Sequence, residues 1–251
     1  MKNDSLSAKV NQDIYNQNWT DWLDLQLYGP KIRWMRQLIF ACLKDTEHDK
    51  PQSILDVGCG EGTTSYFIAK KYADARIDGI DFSLTGITNA KERWVLPNLN
   101  FFHDQSLERL THNYDMLCSF EVLEHIEDWC DMLKRFSACA DKYITLTFPV
   151  GKMRAFEPSV GHLRNFKKGE VETCLIQQGF VPLKIFYAGF PFYSPLYRNL
   201  CELFNSPYNS FARGKYGLKQ KVFSQIFYIL FRFFSTKRRF GEQFCGVFRK
   251  K

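Results

Sequence analysis

Residues 53–65 read SILDVGCGEGTTS, and the rest of the chain can be placed around this stretch. A short apolar strand runs into Asp56-Val57-Gly58-Cys59-Gly60-Glu61-Gly62, and a helix-like segment follows. Glycines lack Cβ, so they tolerate positive φ and let a ligand approach the backbone, which permits a sharp turn at 58, 60 and 62. Strand, glycine turn and helix N-terminus form the usual nucleotide crevice of an α/β sheet. The dinucleotide fingerprint is G-x-G-x-x-G, often with an acid about 20 residues on. Here the spacing is D-x-G-x-G-x-G, with a carboxylate, Asp56, two residues before the first glycine.

Outward from the turn, strand and helix patterns alternate. Thr63–Tyr72 reads as the helix after the loop, and Arg76–Phe82 as a second strand ending in Asp81. An acid at that strand end, roughly 20 residues past the glycines, is where a ribose diol is held by paired hydrogen bonds. Asp81 therefore points to an adenosine-type ligand; a cap before Ser83 is its structural alternative, and Asp78 falls inside the strand. Leu84–Trp94 reads as a helix, Asn100–His103 as a third strand and Tyr114–Phe120 as a fourth. After it, Val122, Ile126, Trp129, Leu133 and Phe136 recur on one helical face, which predicts a helix opening at Glu121. Lys142–Phe148 reads as the fifth strand, Glu170–Gln178 as a helix stopped by Gly179, Phe180–Ala188 as the sixth strand and Gln243–Arg249 as a closing strand.

LDVGCGEG and SFEVLEHIED, in this order and with Asp81 between them, resemble the first and fourth-strand motifs of the class I S-adenosylmethionine-dependent methyltransferases, in particular the small-molecule and quinone-type members. The resemblance spans roughly residues 53–188 and 243–249. It implies a Rossmann-like α/β fold: a seven-stranded, mostly parallel sheet with helices on both faces, and an antiparallel last strand between the fifth and sixth. It implies S-adenosylmethionine as cofactor, held by Asp56, Gly58, Cys59 and Gly60 at the first strand, Asp81 and Phe82 at the second, Asp104 and Gln105 after the third, and Phe120 at the end of the fourth. Asp56 suits the cationic methionine end, and Asp104 the adenine amino group.

Methyl transfer from a sulfonium is an in-line displacement, so much of the task is alignment; a hydroxyl acceptor also needs a base. Glu121, His125 and His162 are the candidates. His125 is expected one turn inside a helix, where a structural histidine is the alternative. His162 lies in HLRNF, which resembles a recurrent motif of the family's acceptor-side loop. Small-molecule acceptors are implied, aromatic or apolar, with oxygen favoured over other atoms. Methylation of a lipid or glycan intermediate at a membrane and a catalytically silent donor-binding subunit stay open. A dehydrogenase is the last alternative.

Two regions match the family less well. Tyr15–Leu27 carries Trp19, Trp22, Leu23 and Leu27 at helical spacing, and Pro30 opens a second helix. Residues 1–50 are expected to form a helical cap on a domain spanning 51–251, with 1–13 frayed. The tryptophans either shape the acceptor pocket or simply pack on the domain. Between Phe190 and Phe240 an insert holds 15 of the 41 aromatics and nine Lys or Arg against one acid, a net of +8, so the remainder carries −1 of the total +7. Its run FSQIFYILFRFF (Phe223–Phe234) is too short to span a bilayer. It can be a helical lid over the acceptor, a membrane-interface element within 213–240, or a packing or homodimer surface. Nucleic acid is disfavoured, because the aromatics sit in an apolar run rather than an open polar groove.

The hydrophobic share of 45% excludes a disordered chain, and 251 residues suit one α/β domain. The eight cysteines form no C-x-x-C pair, so no metal site is expected, and a reducing cytosol is the simplest compartment. No secretory leader pattern is visible at the N-terminus.

Overall fold

Ser53–Val57 forms the central strand β1 of a seven-stranded sheet of order β3-β2-β1-β4-β5-β7-β6. The computed structural model describes residues 16, 19–22, 24–203 and 213–251; the expected frayed tail, Tyr15, Leu23 and part of the insert lie outside them. β1 pairs in parallel with β2 (Arg76–Asp81) on one side and β4 (Tyr114–Phe120) on the other, with Asp56 opposite Gly79 and Cys118. Strand order reverses between these neighbours, and a crevice opens at the carboxyl ends of strands at such a point. β3 (Leu99–His103) and β5 (Ala140–Pro149) extend the parallel part. β7 (Gln243–Lys250) runs antiparallel between β5 and β6 (Phe180–Ala188), as expected.

Side chains alternate across the strands, so both faces of the sheet are buried. Ile54, Ile77, Met116 and Val247 join one core with residues of α2 (Pro30–Leu43), α3 (Thr63–Lys71) and α4 (Leu84–Arg93); α1 (Leu25–Tyr28) precedes α2 and has no buried residue. Leu55, Leu117, Ile144 and Phe248 join the other, against α5 (Trp129–Cys139) and α6 (Glu170–Gln177). The buried Arg36 guanidinium donates to the carbonyls of Gln26 and Leu27 and ties α1 to α2.

Two helix expectations need correction. The Tyr15–Leu27 segment is not one described helix: helical residues at 19–21 give way at Trp22 before Leu25–Tyr28. The helix expected to open at Glu121 begins at Trp129, where the Asp128 side chain accepts from the Asp131 amide at 3.0 Å. Before it the chain turns at Glu121, whose φ is +58°, and makes a single 3-10 turn over Leu123–His125. A non-glycine residue in that region is uncommon, and the bend redirects the chain. His125 therefore stands on a tight turn rather than one turn into a helix.

In the insert, a kinked segment at Phe192–Tyr197 leads to α7 (Arg198–Leu203), and α8 spans Leu218–Phe234. α8 packs on α2: Phe231 lies 6.1 Å from the Trp34 ring, Tyr193 lies 5.1 Å from it, and the Arg33 guanidinium covers Tyr228 at 4.0 Å.

Candidate active site

The carboxyl ends of β1, β2 and β4 enclose a cavity of about 800 Å³. Its floor is the glycine turn. The Gly58 and Cys59 amides donate to the Ile80 carbonyl at 2.8 and 3.0 Å, and Gly58 has φ +76°. A Cβ at Gly58 would collide with Val122, and one at Gly60, φ +56°, would collide with the Trp19 ring. These two positions need glycine for conformation and for space alike.

Asp81 closes the turn from the next strand. One carboxylate oxygen accepts from the Gly60 amide and the other from the Ser83 amide, both at 2.8 Å. Each oxygen keeps a second lone pair, and Asp81 faces the cavity. Burial pushes its carboxyl up to about 6 against those amide bonds. Asp56 lies beside it, accepting from the Ser65 hydroxyl at 2.5 Å; burial raises its carboxyl to about 7, and the Asp81 charge adds to this.

The two raised carboxyls make stability pH-dependent with a definite sign. The unfolded chain sheds these protons first, near the usual carboxylate value of about 3.9, so their contribution is complete below that pH and is lost as pH rises through the folded values. The stability of wild type relative to Asp56→Asn is expected to fall between about pH 4 and pH 7, by at most about 1.4 kcal/mol per pH unit. Denaturant melts of both proteins across that range measure the difference; a flat or rising difference contradicts the assignment.

Of the residues singled out from sequence, Asp56, Gly58, Cys59, Asp81, Phe82, Gln105, Phe120, Glu121, His125 and His162 all line the cavity. Gly60 lies beneath Trp19. Asp104 stands apart from the lining: its carboxylate is engaged by the Glu108 and Arg109 amides at 3.0 Å and by the Ser106 hydroxyl. Burial pushes its carboxyl up, and these hydrogen bonds outweigh that and hold it below the usual range. In this structure Asp104 shapes the loop that presents Gln105.

The same cavity carries the proton-handling groups. Glu121 accepts from the Lys31 ammonium at 2.8 Å and from the Gln243 side-chain amide at 2.7 Å. Burial alone would raise its carboxyl, but Lys31 and Gln243 together hold it below the usual value. Three residues on, Glu124 is fully buried, neither carboxyl oxygen has a hydrogen-bond partner among the described residues, and burial with the nearby Glu121 charge pushes it well up. Two carboxyls three residues apart are thus driven to opposite protonation states, the environmental split found in acid–base sites.

His125 Nδ1 lies 2.8 Å from the Gly161 carbonyl, which leaves Nε2 as the lone-pair nitrogen of the neutral ring. Its ring meets His162 edge-on at 4.8 Å between centroids. Burial, His125 and Lys31 bring His162 down to about 3, so its ring is neutral at ordinary pH. Donor atoms of Glu124, His125 and His162 lie within 4.8 Å of one another, a set that could also accommodate a metal ion.

Trp19 and Trp22, which the sequence left between a pocket wall and plain packing, line the cavity from the N-terminal segment. Ile32 and Met35 join them from α2, and Lys31 beside them escaped the sequence reading. Trp19 is held there by its carbonyl, which accepts from Asn89 at 3.0 Å. The tryptophan spacing was the available signal; nothing local marks Lys31. The Trp19 indole N–H, in the wall, is buried without a hydrogen-bond partner among the described residues. Such an orphaned polar atom is uncommon and suits a polar ligand.

Comparison with known proteins gives a consistent picture. Residues 31–148 match a family model described as a methyltransferase domain. Over 144 residues the chain is 32% identical to the probable chloroplastic tocopherol O-methyltransferase of Oryza sativa subsp. japonica, covering 53% of this chain and 39% of that protein. Over 122 residues it is 34% identical to the ubiquinone biosynthesis O-methyltransferase of Coxiella burnetii, covering 47% of each. The match thus spans less than half the length of these relatives. The fold of a plantazolicin methyltransferase, solved with a triazolic desmethyl analogue and SAH, is shared over 100% of this chain and 98% of that one, with TM-score 0.59 and 16% identity. Magnesium protoporphyrin IX methyltransferase from Synechocystis PCC 6803, with bound SAH, shares it over 88% and 85%, with TM-score 0.54 and 17% identity.

Proposed function

We propose that this chain, whose residues 31–148 match a methyltransferase-domain model, is a class I S-adenosylmethionine-dependent methyltransferase that transfers a methyl group from S-adenosylmethionine to an oxygen of a small, apolar or aromatic acceptor. The observation that carries this reading is one cavity lined both by the Asp81-braced glycine turn and by Lys31, Glu121 and His162.

The residues fit the donor. Asp81 has lone pairs for a ribose diol, Asp56 and the turn suit the amino-acid end, and Gln105 and Leu107, also in the lining, would take the adenine. When bound, the donor supplies a methyl group already activated on a sulfonium. The chain's own task is then to align an acceptor oxygen, and alignment of this kind lowers barriers by about 7–11 kcal/mol in well-oriented cases. Trp19, Trp22, Ile32 and Met35 give the acceptor an apolar seat and exclude water. His162 lines the cavity beside Lys31 and takes the acceptor hydroxyl proton; burial lowers its basicity, so the transfer depends on the oxyanion being stabilised as it forms. The Lys31 ammonium beside it favours the developing oxyanion, and Glu121 and Gln243 fix that ammonium in place. Oxygen is the favoured atom because a hydroxyl, unlike an amine lone pair, needs this proton removed; the two O-methyltransferase relatives support the same choice.

Incubation with the donor and a panel of phenols and hydroquinones, read by S-adenosylhomocysteine formation, tests the reading. No product from any acceptor, with the donor bound, would instead identify a silent binding subunit. His162→Ala is expected to lower kcat about 10²-fold or more with donor affinity unchanged. Equal turnover at every pH would remove His162 from the mechanism.

A further inference from the structure

α8 presents apolar side chains on both of its sides. Ser224, Tyr228 and Phe231 are buried against the domain. On the other side Leu218, Val222, Ile226, Ile229 and Phe233 recur at intervals of four, four, three and four residues, which places them in one stripe along the helix. All five are exposed, Leu218 by 79% and Phe233 by 69%. Six residues past the helix end, Phe240, 70% exposed, meets the exposed Phe190 ring at 6.2 Å and forms a second exposed apolar pair. None of the described residues of α8 lines the cavity, so the lid reading of this run finds no support there.

The border of the stripe is basic. Residues 213–240 contain eight Lys or Arg and no Asp or Glu, with Lys237, Arg238 and Arg239 together at the helix exit, all exposed. At 17 residues the helix is shorter than a bilayer requires, and no described helix is long and apolar enough to cross one.

We infer that α8 and the segment after it dock in the plane of an anionic lipid surface, with the Leu218–Phe233 stripe in the acyl boundary and the Lys/Arg border among headgroup phosphates. Apolar stripe and basic border match the two layers of such a surface. A second copy fits poorly, because a two-fold contact through this patch would bring the same basic borders together. A nucleic acid would pair with the cations and leave the aliphatic stripe in water. The docking surface stands independently of methyl transfer, since no described residue of α8 lines the cavity.

Flotation of the full chain with phosphatidylcholine vesicles, with and without phosphatidylglycerol, tests this. Binding is expected only with the anionic lipid and is expected to weaken in high salt. Ile226→Ser with Phe233→Ser, and separately Lys237→Ser with Arg238→Ser and Arg239→Ser, are each expected to lower vesicle affinity about tenfold or more. These side chains are exposed, so folding is not at stake; circular dichroism of each variant verifies that. A wild-type chain that stays in solution with anionic vesicles at low salt overturns the inference, as do variants that bind equally well. A dimer seen by sedimentation, dissolved by Ile226→Ser with Phe233→Ser and indifferent to vesicles, also overturns it and assigns the stripe to a second copy.

Discussion

Asp81→Ala is expected to weaken binding of S-adenosylhomocysteine by about 10²–10⁴-fold, the largest effect of any single change at the cavity. Two hydrogen bonds from a ribose diol to a carboxylate contribute roughly 1.5–3 kcal/mol each. Asp81 is prepared for them, because the Gly60 and Ser83 amides at 2.8 Å fix its plane. Removing it also leaves the Gly60 amide without its acceptor and loosens the turn. Asp81→Asn separates the two effects. It keeps the side-chain shape and one acceptor oxygen, so the loop should hold while affinity falls by roughly tenfold or more. Titration calorimetry with the demethylated product reads both variants. Wild-type affinity in Asp81→Ala would remove the ribose assignment and, with it, the orientation proposed for the donor.

The second large effect concerns stability. Arg198, at the start of α7, is almost fully buried and donates to Glu157 and, at 2.8 Å, to Glu242. Arg154 reaches the same Glu242 oxygen at 2.7 Å, and its own amide donates to Glu157 at 2.5 Å. Asn165 adds a further donor to Glu157 at 3.1 Å. This network fastens the loop that carries His162 to the insert and to the approach of β7. Arg198→Leu leaves Glu157 buried without its principal partner, which is expected to cost about 3–5 kcal/mol of unfolding free energy, or about 6–20 °C in Tm. Arg198→Leu with Glu157→Leu removes both charges and is expected to recover a large part of that loss. Thermal and urea unfolding of the two variants measure it; a double variant no more stable than the single one would show that packing, not the unpaired charge, sets the penalty.

Much of this architecture was legible because it is written in local pattern. β1, β2, β4 and β6 have the bounds their apolar runs and flanking turns suggest, to within a residue, and the glycines at 58 and 60 have the positive φ their turn demands. Asp81 was readable because its distance from the glycine turn is fixed by one helix and one strand. Where the reading stopped, tertiary geometry had taken over. The apolar spacing from Val122 to Phe136 is helical throughout, yet Glu121 at positive φ and the Asp128 cap delay the helix to Trp129. Asp104 has the right place in the sequence, but nearby amides claim its carboxylate. Lys31 and Glu121 are 90 residues apart and meet only in the fold. No local signal could distinguish Glu124 from the three other acids of its stretch.

The placement of β7 bears on how the chain assembles. β6 pairs with β7 alone, and β7 fills the gap between it and β5. Until residues 243–250 leave the ribosome, β6 has nothing to pair with and the far rim of β5 stays open. The last stretch of this domain to be synthesised is therefore the wedge that locks its sheet. Throughout that delay the nascent polypeptide displays two bare strand rims, the kind of surface that recruits chaperones or stray β-partners.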